Sequence, residues 1–208
     1  MKLLELFSGT RSVGKVADIL GWDVTSLDLK NADINTDILV WDYKQFQPKQ
    51  FDIIWASPPC TEYSRAMTTR DRDIESANKI VTKTLEIIKY LNPQYFIIEN
   101  PQTGLLKMQE FMQDLPFKDI DYCKYGMPYR KRTRLWNNVF QWKPRNLCKK
   151  DCGNISNGRH IASAQRGPSG PVETWADQPK FTQKELFRVP QDLIKEIFDA
   201  VLLCPACS

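Results

Sequence analysis

Cys60 is the residue of this chain best placed to act as a nucleophile. It follows Ser57-Pro58-Pro59, which in turn follows the apolar stretch Phe51-Asp52-Ile53-Ile54-Trp55-Ala56. Two consecutive prolines cannot continue a sheet ladder, so a strand must stop there and pass into a stiff turn. In open α/β sheets ligands bind at the carboxyl ends of the strands, which is where this turn holds the thiol. A lone cysteine is more often a small buried packing residue, so the other strand ends decide its role. The run Tyr95-Phe96-Ile97-Ile98 ends in Glu99-Asn100-Pro101 and carries a carboxyl to a similar edge. A thiol and a carboxyl together suit covalent attack on an electron-poor heterocycle. The thiolate adds to a ring carbon while the carboxyl hydrogen-bonds a ring nitrogen and stabilises the developing charge. A basic strand, Arg132-Thr133-Arg134-Leu135-Trp136, could present Arg132 and Arg134 to the same crevice.

A ligand site is readable at the other end of the sequence. Phe7-Ser8-Gly9-Thr10 links a first strand to a helix through glycine, where backbone can approach a ligand and the helix N-terminus offers free N–H donors. Asp28, at the end of the next strand, lies at the spacing usual for a carboxylate that accepts from ribose hydroxyls. A dinucleotide oxidoreductase would carry Gly-x-Gly-x-x-Gly at this turn, and the chain has none.

These residues need a scaffold of alternating strands and helices. Lys2 to Phe7, Asp23 to Leu27, Phe51 to Ala56 and Tyr95 to Ile98 read as strands. Ser12 to Leu20, Glu75 to Leu91, Met108 to Leu115 and Gln191 to Leu203 read as helices. The alternation predicts an α/β fold, a doubly wound, mostly parallel sheet. Residues 144–171, rich in Gly, Asn, Ser, Lys and Cys, predict a small loop-rich insert. The chain of 208 residues then divides into an α/β core over 1–140, an insert over 141–180 and a closing segment over 181–208. With 42% hydrophobic and 26% charged residues it can bury a full core and stay soluble. No apolar run is long enough to span a bilayer, so no membrane partner is expected. A formal charge of +4 permits a phosphate-rich partner, and the run Arg130-Lys131-Arg132-Thr133-Arg134 concentrates it. Six cysteines in a chain of cytoplasmic character favour catalysis or metal over disulfides.

The ordered blocks resemble those of the cytosine-C5 methyltransferases, which use S-adenosylmethionine. The matching runs are Glu5-Leu6-Phe7-Ser8-Gly9, Asp37-Ile38, Pro58-Pro59-Cys60, Glu99-Asn100-Pro101, and Tyr125-Gly126-Met127-Pro128 leading to Arg132-x-Arg134. The resemblance implies the Rossmann-like fold of S-adenosylmethionine-dependent methyltransferases. It also implies that Phe7, Ser8 and Gly9 cradle the cofactor, with Ser57 and Pro58 beside it. Asp28 would bind its ribose, Asp37 and Ile38 would meet its adenine, with Asp42 the alternative to Asp37, and Leu29 would stand on one face of the adenine site. Cys60 would attack C6 of a flipped-out cytosine, Glu99 would hold the N3 and N4 edge, and Arg134, supported by Arg132, would lie near O2. Ser64 and Arg65, in the loop after Cys60, would close over the base. The implied substrate is DNA; RNA is the alternative, and a binding protein without turnover is a third reading.

The chain departs from the family pattern at several places. Leu29 stands where an aromatic residue is usual, Tyr129 replaces a Gln, and one extra residue precedes the Arg pair. A late Gly-Asn block is missing, and the blocks around Phe181 to Leu186 and Val189 to Leu193 look fused. The interval from Asn137 to Lys180 is much shorter than the family's target-recognition region. That predicts short or relaxed sequence specificity, or recognition through a partner protein; oligomeric state is left open. The insert holds Cys148, Cys152 and the single histidine, His160, and the chain ends in Cys204-Pro205-Ala206-Cys207. Cys148, Cys152, Cys204 and Cys207 could form a four-thiolate structural zinc site, with His160 as a substitute ligand and Cys123 left in the core.

Overall fold

The computed structural model of the protein describes residues 1–164 and 181–203. Its centre is a seven-stranded sheet. The strands are β1 (Lys2–Leu6), β2 (Asp23–Asp28), β3 (Ile34–Asn35), β4 (Ile53–Ala56), β5 (Tyr95–Pro101), β6 (Phe117–Asp121) and β7 (Arg132–Asn137). Their order is β3-β2-β1-β4-β5-β7-β6. The first five run parallel, and β7 runs antiparallel to both of its neighbours. The chain reverses its direction of travel across the sheet between β1 and β4, which opens a crevice at their carboxyl ends.

Burial explains the sequence of each central strand. All four residues of β4, Ile-Ile-Trp-Ala, are buried, as a parallel strand covered on both faces requires. On one face, α1 (Ser12–Ile19) and α4 (Gln191–Leu202) pack Val13, Val16, Ala17, Leu193, Ile197 and Phe198 against Leu3, Ile53, Trp55 and Ile97. On the other, α2 (Ile74–Leu91) packs Ala77, Val81, Ile87 and Leu91 against Leu4, Leu6, Ile54 and Ile98. Each fully buried aliphatic side chain contributes on the order of 1.5–3 kcal/mol to this packing. Helix α2 starts where the Asp73 side chain accepts from Ser76 N at 3.0 Å, and it ends at Asn92 in the left-handed region.

Two segments differ from the sequence-based expectation. Met108 to Leu115 is not a helix but two short 3-10 turns, Leu106–Met108 and Glu110–Met112, because Gln109 between them is extended. Strand β6, whose Lys118, Asp119 and Asp121 hide its strand pattern, forms the outer edge beside β7. The insert contributes a two-stranded hairpin, β8 (Ile155–Ser156) and β9 (Arg159–His160), and a short helix α3 (Gln183–Leu186) precedes α4. Residues 165–180 and 204–208 lie outside the described residues. Among the described residues, no helix is long and apolar enough to cross a membrane.

Candidate active site

A cavity of about 520 Å³ lies at the carboxyl ends of β1, β2, β4 and β5, within the range of about 300–1,000 Å³ usual for small-molecule sites. Phe7, Ser8, Gly9, Asp28, Leu29, Asp37, Ile38, Ser57 and Pro58 all line it. The turn after β1 reverses sharply, with Phe7 at φ 59°, Gly9 at φ 49° and Arg11 at φ 52°. Left-handed backbone is costly for Phe7 and Arg11, and such strain persists where the surroundings over-determine it, commonly at binding sites. The turn is pinned by Asp28, whose carboxylate accepts from Gly9 N at 2.8 Å and from Leu29 N at 2.7 Å. The Ser8 hydroxyl is buried and has no partner among the described residues. A buried, unsatisfied hydroxyl in the cavity wall is a vacant place for a polar ligand group. The residues present therefore fit a nucleoside-bearing cofactor.

Glu5 was not singled out as a site residue, yet it forms part of this wall. It is 3% exposed and accepts from Val13 N at 3.2 Å and Gly14 N at 3.0 Å, at the start of α1. Burial pushes its carboxyl up to about 7, although these two N–H groups and Arg11 pull the other way. The sequence signal for Glu5 was a lone acid inside an apolar first strand.

Cys60 and Glu99 open into the same cavity. The turn carrying Cys60 is tied to β5 by Asn100, whose side-chain amide donates to the Pro58 carbonyl at 3.0 Å. The Asn100 side-chain oxygen is itself buried without a partner. Glu99 accepts from the Tyr122 hydroxyl at 2.9 Å and lies 3.7 Å from the Lys131 ammonium. Lys131 also lies over the Tyr122 ring, 5.0 Å from its centre, and lines the cavity. Burial pushes the Cys60 thiol up; Lys131 lowers it and Glu99 raises it further.

Arg132 and Arg134 do not reach the cavity. Across the β6–β7 ladder Arg132 stands opposite Asp121 and Arg134 opposite Asp119. Arg132 donates to both Asp121 carboxylate oxygens, at 3.0 and 2.8 Å, and Arg134 to both of Asp119, at 2.7 and 2.9 Å. Arg134 also lies 3.5 Å from the centre of the Phe117 ring. The reason is parity. Glu99 stands opposite Leu135, and side chains alternate along a strand, so Arg132 and Arg134 face away from Glu99 while Lys131 does not.

The loop after Cys60 is anchored at its root and polar beyond. Tyr63 is fully buried, its hydroxyl donates to the Asn78 side-chain oxygen at 2.8 Å, and its carbonyl accepts from Leu105 N at 2.9 Å. Arg72 donates to the carbonyls of Ser64, at 3.1 Å, and Met67, at 2.9 Å. Arg70 pairs with Glu62. Ser64 and Arg65 sit between these ties and do not line the cavity.

In the insert, Cys148 and Cys152 come together with Cys123 and His160. Cys204 and Cys207 lie outside the described residues. Cys123 is buried, as expected, but against these ligating atoms rather than in either apolar cluster.

The C-5 cytosine-specific DNA methylase family profile matches residues 27–127, the stretch from Leu27 to Met127 that includes Cys60 and Glu99. The "Probable DNA (cytosine-5)-methyltransferase" of Frog virus 3 (isolate Goorha) is 38% identical over 221 aligned positions, covering 96% of this chain and 99% of the viral protein. Among solved structures, Dnmt2 methyltransferase of S. pombe superposes with a TM-score of 0.51 at 15% identity, over 76% of this chain and 62% of that one. The methyltransferase EhMeth of Entamoeba histolytica superposes with a TM-score of 0.53 at 16% identity, over 84% and 62%. The chain thus spans about three fifths of these two structures, which share its fold, and nearly the whole of the viral relative. Similarity of that extent to the viral protein shows that the chain belongs to the C-5 cytosine-specific DNA methylase family, S-adenosylmethionine-dependent methyltransferases of Rossmann-like fold.

Proposed function

We propose that this protein methylates C5 of cytosine in DNA, using Cys60 as the covalent nucleophile. One observation carries the reading: Cys60 and Glu99 open into the same cavity as Phe7, Gly9, Asp28 and Asp37. S-adenosylmethionine held by those four residues, with Ser8, Leu29, Ile38, Ser57 and Pro58 around it, supplies an electrophilic sulfonium methyl group. The Cys60 thiolate forms a bond to C6 of the base, and the ring electrons move toward C5. Glu99 hydrogen-bonds the N3 and N4 edge and, with Lys131 beside it, stabilises the charge that develops on the ring. Tyr122 fixes the orientation of Glu99. C5 then bonds the methyl group as its bond to the sulfonium breaks, leaving S-adenosylhomocysteine. The C5 proton passes to water as the electrons return, the bond from sulfur to C6 breaks, and the Cys60 thiolate is regenerated. C5 and C6 are hidden in a duplex, so the target base must be extruded or already unpaired. The loop carrying Ser64 and Arg65 would have to close over it.

The proposed division is a core over 1–140, a recognition insert over 141–180 and a C-terminal segment over 181–208. So small an insert favours a short target sequence, or a partner protein that adds recognition. The four described cysteines are all free, which suits a reducing compartment such as the cytoplasm.

The test is methyl transfer from labelled S-adenosylmethionine to mixed DNA and RNA, followed by mapping of modified cytosines. We expect 5-methylcytosine in DNA, a covalent complex with DNA containing 5-fluorocytosine, and loss of both in Cys60→Ser with cofactor binding retained. Label confined to RNA would move the same chemistry to the other nucleic acid. Transfer by Cys60→Ser at the wild-type rate would overturn the mechanism.

A further inference from the structure

Three of the four described cysteines converge with the only histidine of the chain. They come from three separate places. Cys123 lies in the 3-10 turn Tyr122–Tyr125 that follows β6. Cys148 and Cys152 lie in a loop of the insert, and His160 lies on β9. One ligating atom from each of the four lies within 4.8 Å of every other, and Cys148 Sγ is 3.5 Å from His160 Nε2. A tetrahedral zinc ion with Zn–S of about 2.3 Å and Zn–N of about 2.0–2.1 Å sets its ligand atoms about 3.5–3.8 Å apart. Disulfide partners would be far closer, with sulfurs about 2.05 Å apart, and all of these cysteines are free.

The loop is shaped around the Cys148 sulfur. It turns through two left-handed residues, Lys150 at φ 68° and Gly153 at φ 79°. Lys150 N donates to Cys148 Sγ at 3.3 Å, a contact that suits a thiolate. Asp151, between the two cysteines, pairs with Lys124 at 3.1 Å, next to Cys123 in sequence. Of the described insert residues 141–164, only Trp142, Cys148 and Ala162 are buried. A metal supplies the free energy that a core would otherwise provide.

From this convergence we propose that Cys123, Cys148, Cys152 and His160 form a Cys3His site for a structural zinc ion, fastening the insert to the end of β6. The set differs from the four-thiolate expectation, because Cys123 and His160 take the places that Cys204 and Cys207 were to fill. The site sits directly behind the proposed chemistry. Asp121, Tyr122 and Cys123 are consecutive. Asp121 accepts from Cys148 N at 2.9 Å and holds Arg132, while Tyr122 donates to Glu99. The ion therefore also fixes the turn that orients Glu99; this last consequence alone rests on the proposed function.

The test is metal content of the full-length chain, purified under reducing conditions and dialysed against metal-free buffer. We expect about one zinc per chain, lost in Cys152→Ser and in His160→Ala and retained in the Cys204→Ser/Cys207→Ser double variant. Cobalt(II) replacement of the zinc should give the intense visible d–d bands of tetrahedral coordination and thiolate charge-transfer absorption, readable on the wild-type protein even where a variant fails to fold. Wild-type protein that holds no zinc, a cobalt spectrum of octahedral type, a disulfide among these cysteines in the reduced preparation, or zinc lost only from the Cys204/Cys207 variant would each overturn the assignment. Failure of methyl transfer with zinc present would refute the proposed function and leave this site standing.

Discussion

Replacing Lys131 with Met removes the ammonium that, among the described residues, pairs with Glu99. Two unit charges about 4 Å apart interact by about 4 kcal/mol at an effective dielectric of about 20. The pair here is 3.7 Å apart and both side chains are largely buried, so part of that gain is offset by desolvation. Close charge pairs couple by about 1.5–7 kcal/mol; desolvation offsets the gain and puts this pair in the lower part of that range, about 1.5–3 kcal/mol, and each 1.36 kcal/mol is about tenfold in rate. Methyl transfer in a single turnover should thus slow by about 10- to 100-fold, with the affinity for S-adenosylmethionine little changed. A second signature distinguishes this from loose packing. Burial raises the Cys60 thiol and Lys131 lowers it, so the thiolate fraction climbs as pH rises and the Lys131→Met limb should lie at higher pH than that of wild type. Lys131→Arg keeps a cation and should recover part of the rate. Arg134→Met should instead lower the melting temperature, because it leaves Asp119 unpaired, while folded protein keeps most of its activity. Wild-type transfer by Lys131→Met together with abolished transfer by a fully folded Arg134→Met would refute the parity argument.

Two further substitutions probe the walls of the cavity. Glu5→Gln should flatten the dependence of stability on pH: burial raises the Glu5 carboxyl from 4.5 to about 7, so its protonated form stabilises the fold at low pH and that contribution is lost as pH rises through this window. Denaturant melts should show wild type losing on the order of 3 kcal/mol relative to Glu5→Gln between those pH values, and parallel curves would sink the idea. Asn100→Ala removes the bond to the Pro58 carbonyl, worth about 1–3 kcal/mol when a buried group is left unpaired; Cys60 should then alkylate faster with iodoacetamide while methyl transfer slows, and unchanged alkylation would show that the prolines alone hold the turn.

The parts of the site legible in the sequence are those dictated by local chain chemistry. The Pro58-Pro59 stop, the Gly9 turn and the acid closing β2 each fix a position within a few residues of their own signal. All nine residues expected around the cofactor line one cavity; these signals account for the Phe7 to Gly9 turn, Asp28 and Ser57-Pro58, whereas Leu29, Asp37 and Ile38 were expected only from the family resemblance. Arg132 and Arg134 were expected at the crevice and lie outside the cavity, because their orientation depends on a long-range fact, the register of β7 against β5 and β6. Strand β6 carries three charged residues in five, so its pairing with β7 was invisible, and with it the acids that neutralise Arg132 and Arg134. Tyr122 and Asn100 were missed likewise, because their roles lie in contacts with Glu99 and Pro58 from other strands. The metal ligands fall between these cases. Cys148, Cys152 and His160 were legible as a cluster in the insert, whereas Cys123 is separated from them by all of β7.

What the insert can read on a nucleic acid follows from what its side chains are already doing. Trp142 donates to Glu196 at 3.0 Å, and Arg145 donates to Glu196 at 2.9 Å and to the Lys124 carbonyl at 2.7 Å. Asn154 donates to the Met127 carbonyl at 3.1 Å, and Cys148, Cys152 and His160 converge on Cys123. Several of the polar side chains between residues 141 and 164 are thus already engaged with the core. Of the exposed polar residues, Gln141, Arg145 and Asp151 are already bonded, which leaves Lys143, Asn146, Lys149, Lys150, Ser156, Asn157 and Arg159. Lysines mainly neutralise phosphates, which strengthens binding uniformly without selecting a sequence. Asn146, Asn157 and Arg159 are of the types that make bidentate contacts to base edges, each worth about 1–3 kcal/mol of discrimination. Three such contacts support a target of very few base pairs, and the lysines make the accompanying affinity fall steeply with salt. If the described insert does the reading, Arg159→Ala should relax preference at one position of the methylated site, whereas Lys149→Ala should weaken binding equally on all sequences.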